Sequence, residues 1–172
     1  MLFSIGEFFE LVYNEPLLYS ENMIFVIDQM GRAHQAMGPF DLSKYDNCTI
    51  KIEKMEKYNS AIYQYGQKLA KKYHHNGPVT CHAFYSNQGG YSFPLHTDPD
   101  DVIILCCDGI KTIETDIHNE IHPNETLLIP ANTPHKATNK YESLMLSFGL
   151  EKFIVEKLNH GLVDISKNNR DL

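Results

Sequence analysis

Apolar positions follow a helical period in three stretches of the chain and elsewhere alternate or fall in runs too short for helices. Ser4-x-x-Glu7 makes a capping box, and Ile5, Phe8, Phe9 and Val12 share one face of the helix it opens. Pro16 denies the next turn an N–H and closes that helix. Met23 to Ile27 is a short apolar run read as a strand. Residues 31–44, with Gly31, Gly38, Pro39 and a cap-like Asp41, carry no period and are predicted to be loop. Thr49 to Glu53 alternates as a strand. Asn59 caps a second helix reaching about Tyr73, striped by Ile62, Tyr65, Leu69, Ala70 and Tyr73, and Asn76-Gly77-Pro78 stops it.

Beyond Pro78 the pattern changes to short strands broken by turn residues. The predicted strands are Val79–Tyr85, Phe93–His96, Val102–Cys107, Thr112–Ile117, Glu125–Ile129, Lys136–Thr138 and Ser143–Gly149. A third, amphipathic helix follows from Glu151 to about His160, before an Asn/Lys-rich tail. No repeat, linker or low-complexity segment interrupts this order. Short strands at regular spacing after an α-rich start predict a mainly β sandwich or barrel with a helical flank. One domain over 1–172 is expected, with the flank about 1–78, the barrel core about 79–149 and the C-terminal helix and tail over 150–172.

Composition narrows the function. At 172 residues, 42% hydrophobic and 22% charged, the chain reads as an ordinary globular domain. A net charge of −7 gives no electrostatic footprint for nucleic acid, and Lys68, Lys71 and Lys72 read as the wet face of a helix. The N-terminus lacks the basic and apolar regions of a signal peptide, and no apolar run approaches the ~18 residues that span a bilayer. Cys48, Cys81, Cys106 and Cys107 form no C-x-x-C pair and are read as reduced, buried thiols. A cytoplasmic location without membrane or nucleic-acid partners is the expectation. The oligomeric state, a homodimer included, stays open.

Candidate chemistry centres on Phe93-Pro94-Leu95-His96-Thr97-Asp98 and on Ile129-Pro130-Ala131-Asn132-Thr133-Pro134-His135. On a strand, positions i and i+2 point the same way, so His96 and Asp98 would offer an imidazole and a carboxylate to one point. His135, from a neighbouring strand, would complete a 2-His-1-carboxylate set of the kind that holds Fe(II) with positions open. Lys111 follows Asp108-Gly109 on the next strand. A lysine aimed into a barrel is costly unless paired, and a bound dicarboxylate would supply the pairing. Gly89-Gly90 would let the preceding loop pass close over the site.

The run from His96 to Lys111 resembles the core of the Jumonji-C-like oxygenases of the cupin superfamily, nearest in pattern to the ribosomal-protein histidine and arginine hydroxylases. In that family H-x-D is followed by Asp-Val, a hydrophobic strand and a Gly-x-Lys/Arg whose basic residue lies thirteen positions after the Asp; Lys111 stands there. Leu127 to His135 is similar to the family's L-Y-I-P-P-G-x-P-H, and Ser143 to Gly149 to its next strand. Weaker likeness runs from Glu7-Phe8-Phe9 to Pro16-Leu17-Leu18, so that only residues 25–45 or so lie outside it. The resemblance implies a double-stranded β-helix (cupin or jelly-roll barrel) with flanking N-terminal helices and a short C-terminal helix. It implies His96, Asp98 and His135 as ligands of Fe(II), and Lys111 as the partner of the distal carboxylate of 2-oxoglutarate. It also implies O2-dependent hydroxylation of an amino-acid side chain in a protein, peptide or small biosynthetic substrate. Asp98 keeps the carboxylate that a halogenase lacks. The alternatives are a non-redox metal-dependent cupin, an isomerase or a lyase, and a catalytically silent cupin-type binding module.

The departures concern substrate. His82-Ala83-Phe84 stands where the family has Asn-x-Tyr, and Thr112-Ile113 replaces the Trp after the basic residue. The dimerisation and winged-helix modules of the ribosomal enzymes have no counterpart in these 172 residues. His82, Phe84, Tyr91 and Ser147 are the substrate-pocket candidates. Tyr85 is out of phase with Phe84. His118 and His122 do not match H-E-x-x-H and are read in a polar turn without a metal, His74-His75 as a helix end, and Arg32 as a loop residue.

Overall fold

The computed structural model describes residues 1–42 and 44–152. Helix α1 (Ile5–Asn14) begins with the reciprocal Ser4–Glu7 capping box, and Pro16, which ends it, is also the first residue of α2 (Pro16–Ser20). Strands β1 (Ile24–Ile27), β2 (Ala33–Gln35) and β3 (Thr49–Ile52) surround a short helix α3 (Pro39–Leu42). The one-turn α4 (Met55–Tyr58) leads into α5 (Ser60–Lys72), capped by the Asn59 side chain on the N–H groups of Ala61 and Ile62. The remaining strands are β4 (Val79–Ser86), β5 (Asp101–Gly109), β6 (Lys111–Glu114), β7 (His118–Ile121), β8 (Thr126–Ile129), β9 (Lys136–Thr138) and β10 (Ser143–Leu150).

Four expectations need correction. Phe93–His96 is not a strand: Pro94 denies the ladder a donor, and the segment keeps one isolated bridge, between His96 and His135. Residues 31–44 are not all loop, since β2 pairs with β1 at the sheet edge and α3 follows. His118–Ile121, read as a polar turn, is β7, which pairs antiparallel with β6 and buries its one apolar residue, Ile121. The predicted strand Thr112–Ile117 ends at Glu114. The predicted helix from Glu151 lies outside the described residues, except for its first two positions, which are not helical.

The strands form two antiparallel sheets, one in the order β2-β1-β3-β4-β10-β5-β8 and one in the order β7-β6-β9. Alternation along the central strands of the large sheet separates two environments. Ile50, Ile52, Cys81, Ala83, Ile103, Leu105, Leu144, Leu146 and Phe148 pack with Phe8, Val12, Leu18, Ile62 and Leu69 of the helices into the main core. Val102, Ile104, Cys106 and Met145, from the other face, pack with Ile113 and Ile121 of the small sheet. The large sheet is thus layered between helices and the small sheet. Gly109 makes the hand-off from β5 to β6 with φ +67°, where a Cβ would lie 1.9 Å from the Glu142 carbonyl oxygen. No helix among the described residues is long and apolar enough to cross a membrane.

Candidate metal centre

Between the two sheets lies a cavity of about 450 Å³, and His96, Asp98 and His135 are in its wall. One potential ligand atom from each residue falls within 4.8 Å of the others, and His135 Nε2 stands 3.3 Å from Asp98 Oδ2. Two atoms each about 2.1 Å from one metal at a right angle lie about 3 Å apart, so this spacing fits a shared ion. Backbone pairing rather than strand parity produces the convergence. His96 N–H donates to the His135 carbonyl (3.1 Å) and His135 N–H to that of His96 (2.8 Å), while Asn132 N–H donates to the Asp98 carbonyl (2.7 Å).

The tautomers are set as well. His96 Nδ1 lies 2.8 Å from the Pro94 carbonyl and His135 Nδ1 2.9 Å from that of Thr133. A carbonyl only accepts, so each Nδ1 carries a hydrogen, and once the ring is neutral Nε2 offers its lone pair to a metal. The hydrogen bond from His135 lowers the Asp98 pKa, and the same contact raises that of His135.

Lys111 is 1% exposed and reaches the same cavity. Its ammonium donates to Asn139 Oδ1 at 2.5 Å and to Ser86 Oγ at 3.3 Å, both neutral acceptors. Burial lowers its pKa to about 7. Asn139 is itself held, its amide nitrogen donating to the Gly90 carbonyl (2.6 Å), Ser92 Oγ (2.8 Å) and Thr49 Oγ1 (3.4 Å). Thr49 Oγ1 and Ser86 Oγ share a hydrogen bond of 2.7 Å. One end of the cavity is therefore a hydroxyl- and ammonium-lined recess in which, among the described residues, Lys111 has no carboxylate partner.

The third side of the cavity is the inner face of β3, β4 and β10. His82 pairs across the ladder with Ser147, and Phe84 with Lys51 on one side and Met145 on the other; all five residues line the cavity. His82 Nδ1 accepts the Lys54 N–H at 3.4 Å, leaving Nε2 as the donor, and burial lowers its pKa to about 4. Tyr91 lies elsewhere, 41% exposed on a shallow outer groove. Tyr85 faces the helices, against Phe8 and Phe9. Arg32 is ion-paired with Asp28 at 3.2 Å and does not line the cavity, and neither His118 nor His122 approaches it.

Sequence reading passed over Asn139, Thr49, Ser86, Ser92 and Lys51. Two of these had a legible signal: Thr49 and Lys51 share a parity opposite to the core residues Ile50 and Ile52, and so face the small sheet. Asn139 and Ser92 lie in connections, where their residue types are too common to stand out.

The fold is similar to that of YcfD, a ribosomal oxygenase from Escherichia coli. The TM-score is 0.65 at 18% identity over 100% of this chain and 52% of that one. A second structure of the same oxygenase gives 0.66 at 19% identity over 95% and 48% of the two chains. YcfD in complex with cobalt and 2-oxoglutarate gives 0.65 at 17% identity over 100% and 53%. The likeness fixes the fold. It is a mainly β, double-stranded β-helix architecture with flanking helices, and this chain spans about half the length of YcfD. No family model matches the sequence, and no curated protein matches it.

Proposed function

We propose that this protein is an Fe(II)- and 2-oxoglutarate-dependent oxygenase that hydroxylates an amino-acid side chain, free or within a peptide or protein. The observation that carries this reading is one cavity shared by a 2-His-1-carboxylate set and a buried ammonium that has no carboxylate partner among the described residues. A facial His/His/Asp set suits Fe(II) and leaves positions open for a chelating co-substrate and O2. A dicarboxylate that chelates at one end leaves its other carboxylate for the third N–H of Lys111, where a charge-assisted hydrogen bond joins the contacts to the Asn139 amide and the Ser86 hydroxyl. YcfD, whose fold this chain shares, forms complexes with cobalt and succinic acid and with cobalt and 2-oxoglutarate.

When bound, iron and 2-oxoglutarate would supply the oxidant: substrate C–H, O2 and 2-oxoglutarate give C–OH, succinate and CO2. The chain's own residues do the rest. Pro94 and Thr133 carbonyls hold the two imidazoles with their lone pairs inward. Asn139, anchored on Gly90 and Ser92, aims the Lys111 ammonium. Ile104, Ile113, Val102 and Met145 keep that part of the wall apolar, which limits water beside a reactive centre.

Anaerobic addition of Fe(II) and 2-oxoglutarate is expected to give the weak visible charge-transfer absorption of the chelate, and O2 should then release succinate. Absence of both the band and succinate would sink the oxygenase reading and leave a non-redox cupin or a binding module.

A further inference from the structure

We infer that the cavity wall formed by Lys51, His82 and Ser147, with Glu53 paired behind Lys51, is a subsite for the head group of a free α-amino acid. The inference rests on the oxygenase reading and names the class of its prime substrate.

Lys51 occupies an unusual position for a strand lysine. Its ammonium lies 5.9 Å from the ring centroid of Phe25, 5.8 Å from that of Phe84 and 5.9 Å from that of Phe93. Rings at this range attract a cation through their negative faces. The same ammonium contacts Glu53 Oε1 at 2.6 Å, and the two side chains are 15% and 28% exposed. Lys51 lines the cavity, so the Glu53 carboxylate stands one hydrogen bond behind the cavity wall. The registered pairs Lys51–Phe84 and Ile52–Ala83 place Glu53, one step on, opposite His82. His82 in turn pairs with Ser147.

This array offers donors. Lys51 has N–H groups beyond the one given to Glu53. His82 Nδ1 is taken by the Lys54 N–H, so Nε2–H is free to donate. Among the described residues, neither His82 Nε2 nor the Ser147 hydroxyl has a protein acceptor. Together they suit a carboxylate.

The ion pair decides which carboxylate. A lone anion drawn to Lys51 competes with Glu53 and leaves that half-buried charge unpaired. A lone cation drawn to Glu53 does the reverse. Either outcome carries the penalty of an uncompensated charge away from water. A ligand with both signs a few ångströms apart, its carboxylate on Lys51 and its ammonium toward the Glu53 carboxylate paired behind it, leaves the ion pair balanced. An α-ammonium beside an α-carboxylate has that pattern, and a peptide-bonded residue does not. With the head group on β3 and β4, the side chain is left to extend within the same cavity, which the triad also lines.

The test uses the full chain loaded anaerobically with Fe(II) and 2-oxoglutarate. The probes are free L-amino acids, each with its α-amide and N-acetyl form. At least one free amino acid is expected to perturb the charge-transfer band and bind saturably by calorimetry, with both blocked forms at least tenfold weaker. Lys51→Met and Glu53→Gln should each lower that affinity tenfold or more while the Fe(II)–2-oxoglutarate band persists; Glu53→Gln is nearly isosteric and covers the case in which Lys51→Met misfolds. A band with no amino acid binding, blocked forms binding as well as the free one, or Glu53→Gln binding unchanged would each overturn the subsite and leave the oxygenase reading in place. Absence of the band itself would count against the oxygenase instead, and calorimetry on the metal-free chain would then decide the subsite.

Discussion

Asn139 accepts the buried ammonium of Lys111 at 2.5 Å, and both side chains are more than nine-tenths shielded from water. The two residues sit on the same small sheet system, Lys111 opening β6 and Asn139 directly following β9, its neighbour. Asn139 is fixed from behind by the Gly90 carbonyl and Ser92, so the amide oxygen, not the nitrogen, faces the lysine.

Asn139→Leu removes that acceptor and should raise the apparent Kd for 2-oxoglutarate about tenfold, the loss of one charge-assisted hydrogen bond of ~1.5 kcal/mol or so. Metal affinity should not change. Asn139→Asp tests the same contact with the opposite sign, because a protein carboxylate would then occupy Lys111 and compete with the co-substrate. Calorimetric titration of 2-oxoglutarate into cobalt(II)-loaded protein reads both.

Lys111→Met should abolish measurable 2-oxoglutarate binding and make the ligand-free protein more stable. A buried ammonium among neutral partners is costly, and apolar replacements at such sites often gain about 1–4 kcal/mol. Thermal unfolding of the two proteins without ligand, and then with 2-oxoglutarate and metal, should show the order of Tm values reverse.

Co-substrate binding should depend on pH through Lys111. Its pKa in the folded protein falls to about 7 from an ordinary 10.5. Between those values the unfolded chain holds a proton that the folded chain lacks, so the contribution of Lys111 to folding stability rises with pH across that window and is smallest below 7. A bound carboxylate demands the ammonium form. Above pH 7, therefore, 2-oxoglutarate must bring a proton with it, and its affinity should fall by up to tenfold per pH unit. Binding enthalpies that vary with buffer ionisation at pH 8 and converge near pH 6 would demonstrate the uptake.

Metal binding should show the opposite slope. The contact with Asp98 raises the pKa of His135 above 6.5 in the metal-free protein and lowers that of Asp98 below 3.8. That pair supports the metal-free fold fully between those two ordinary values. Its histidine part fades as pH rises through the raised His135 value, and its carboxylate part as pH falls through the lowered Asp98 value. A metal needs the imidazole without its proton, so cobalt(II) affinity should climb with pH through the range just above 6.5 and then level off. In His135→Ala the climb should disappear together with most of the affinity.

Much of the barrel was legible because turn residues bracket the strands: Gly77-Pro78 before β4, Asp108-Gly109 before β6 and Asn124 before β8. The polar strand β7 was not, since His118-Asn119-Glu120 has no apolar alternation and becomes a strand only by pairing with β6. The grouping of His96, Asp98 and His135 emerged from a strand that does not exist; long-range backbone bonds from His135 and Asn132 bring the three together, and no local pattern encodes those. Lys111 could be singled out by its distance from Asp98 in the chain. Asn139 could not, because its importance lies in partners 28 and 49 residues away.

The reciprocal backbone bonds between His96 and His135 join the loop that leads into the large sheet to the start of an edge strand of the small one. The two imidazoles are thus carried on the same seam that holds the sheets together at the site. An ion gripping both rings would cross-link that seam, and losing it would leave the halves tied there by two hydrogen bonds and the Asn132 contact. Amide hydrogen exchange at His96 and His135 becomes a gauge of occupancy that needs no substrate: a bound ion would double as a clasp, and the tightness of that clasp would report whether the proposed metal site is filled.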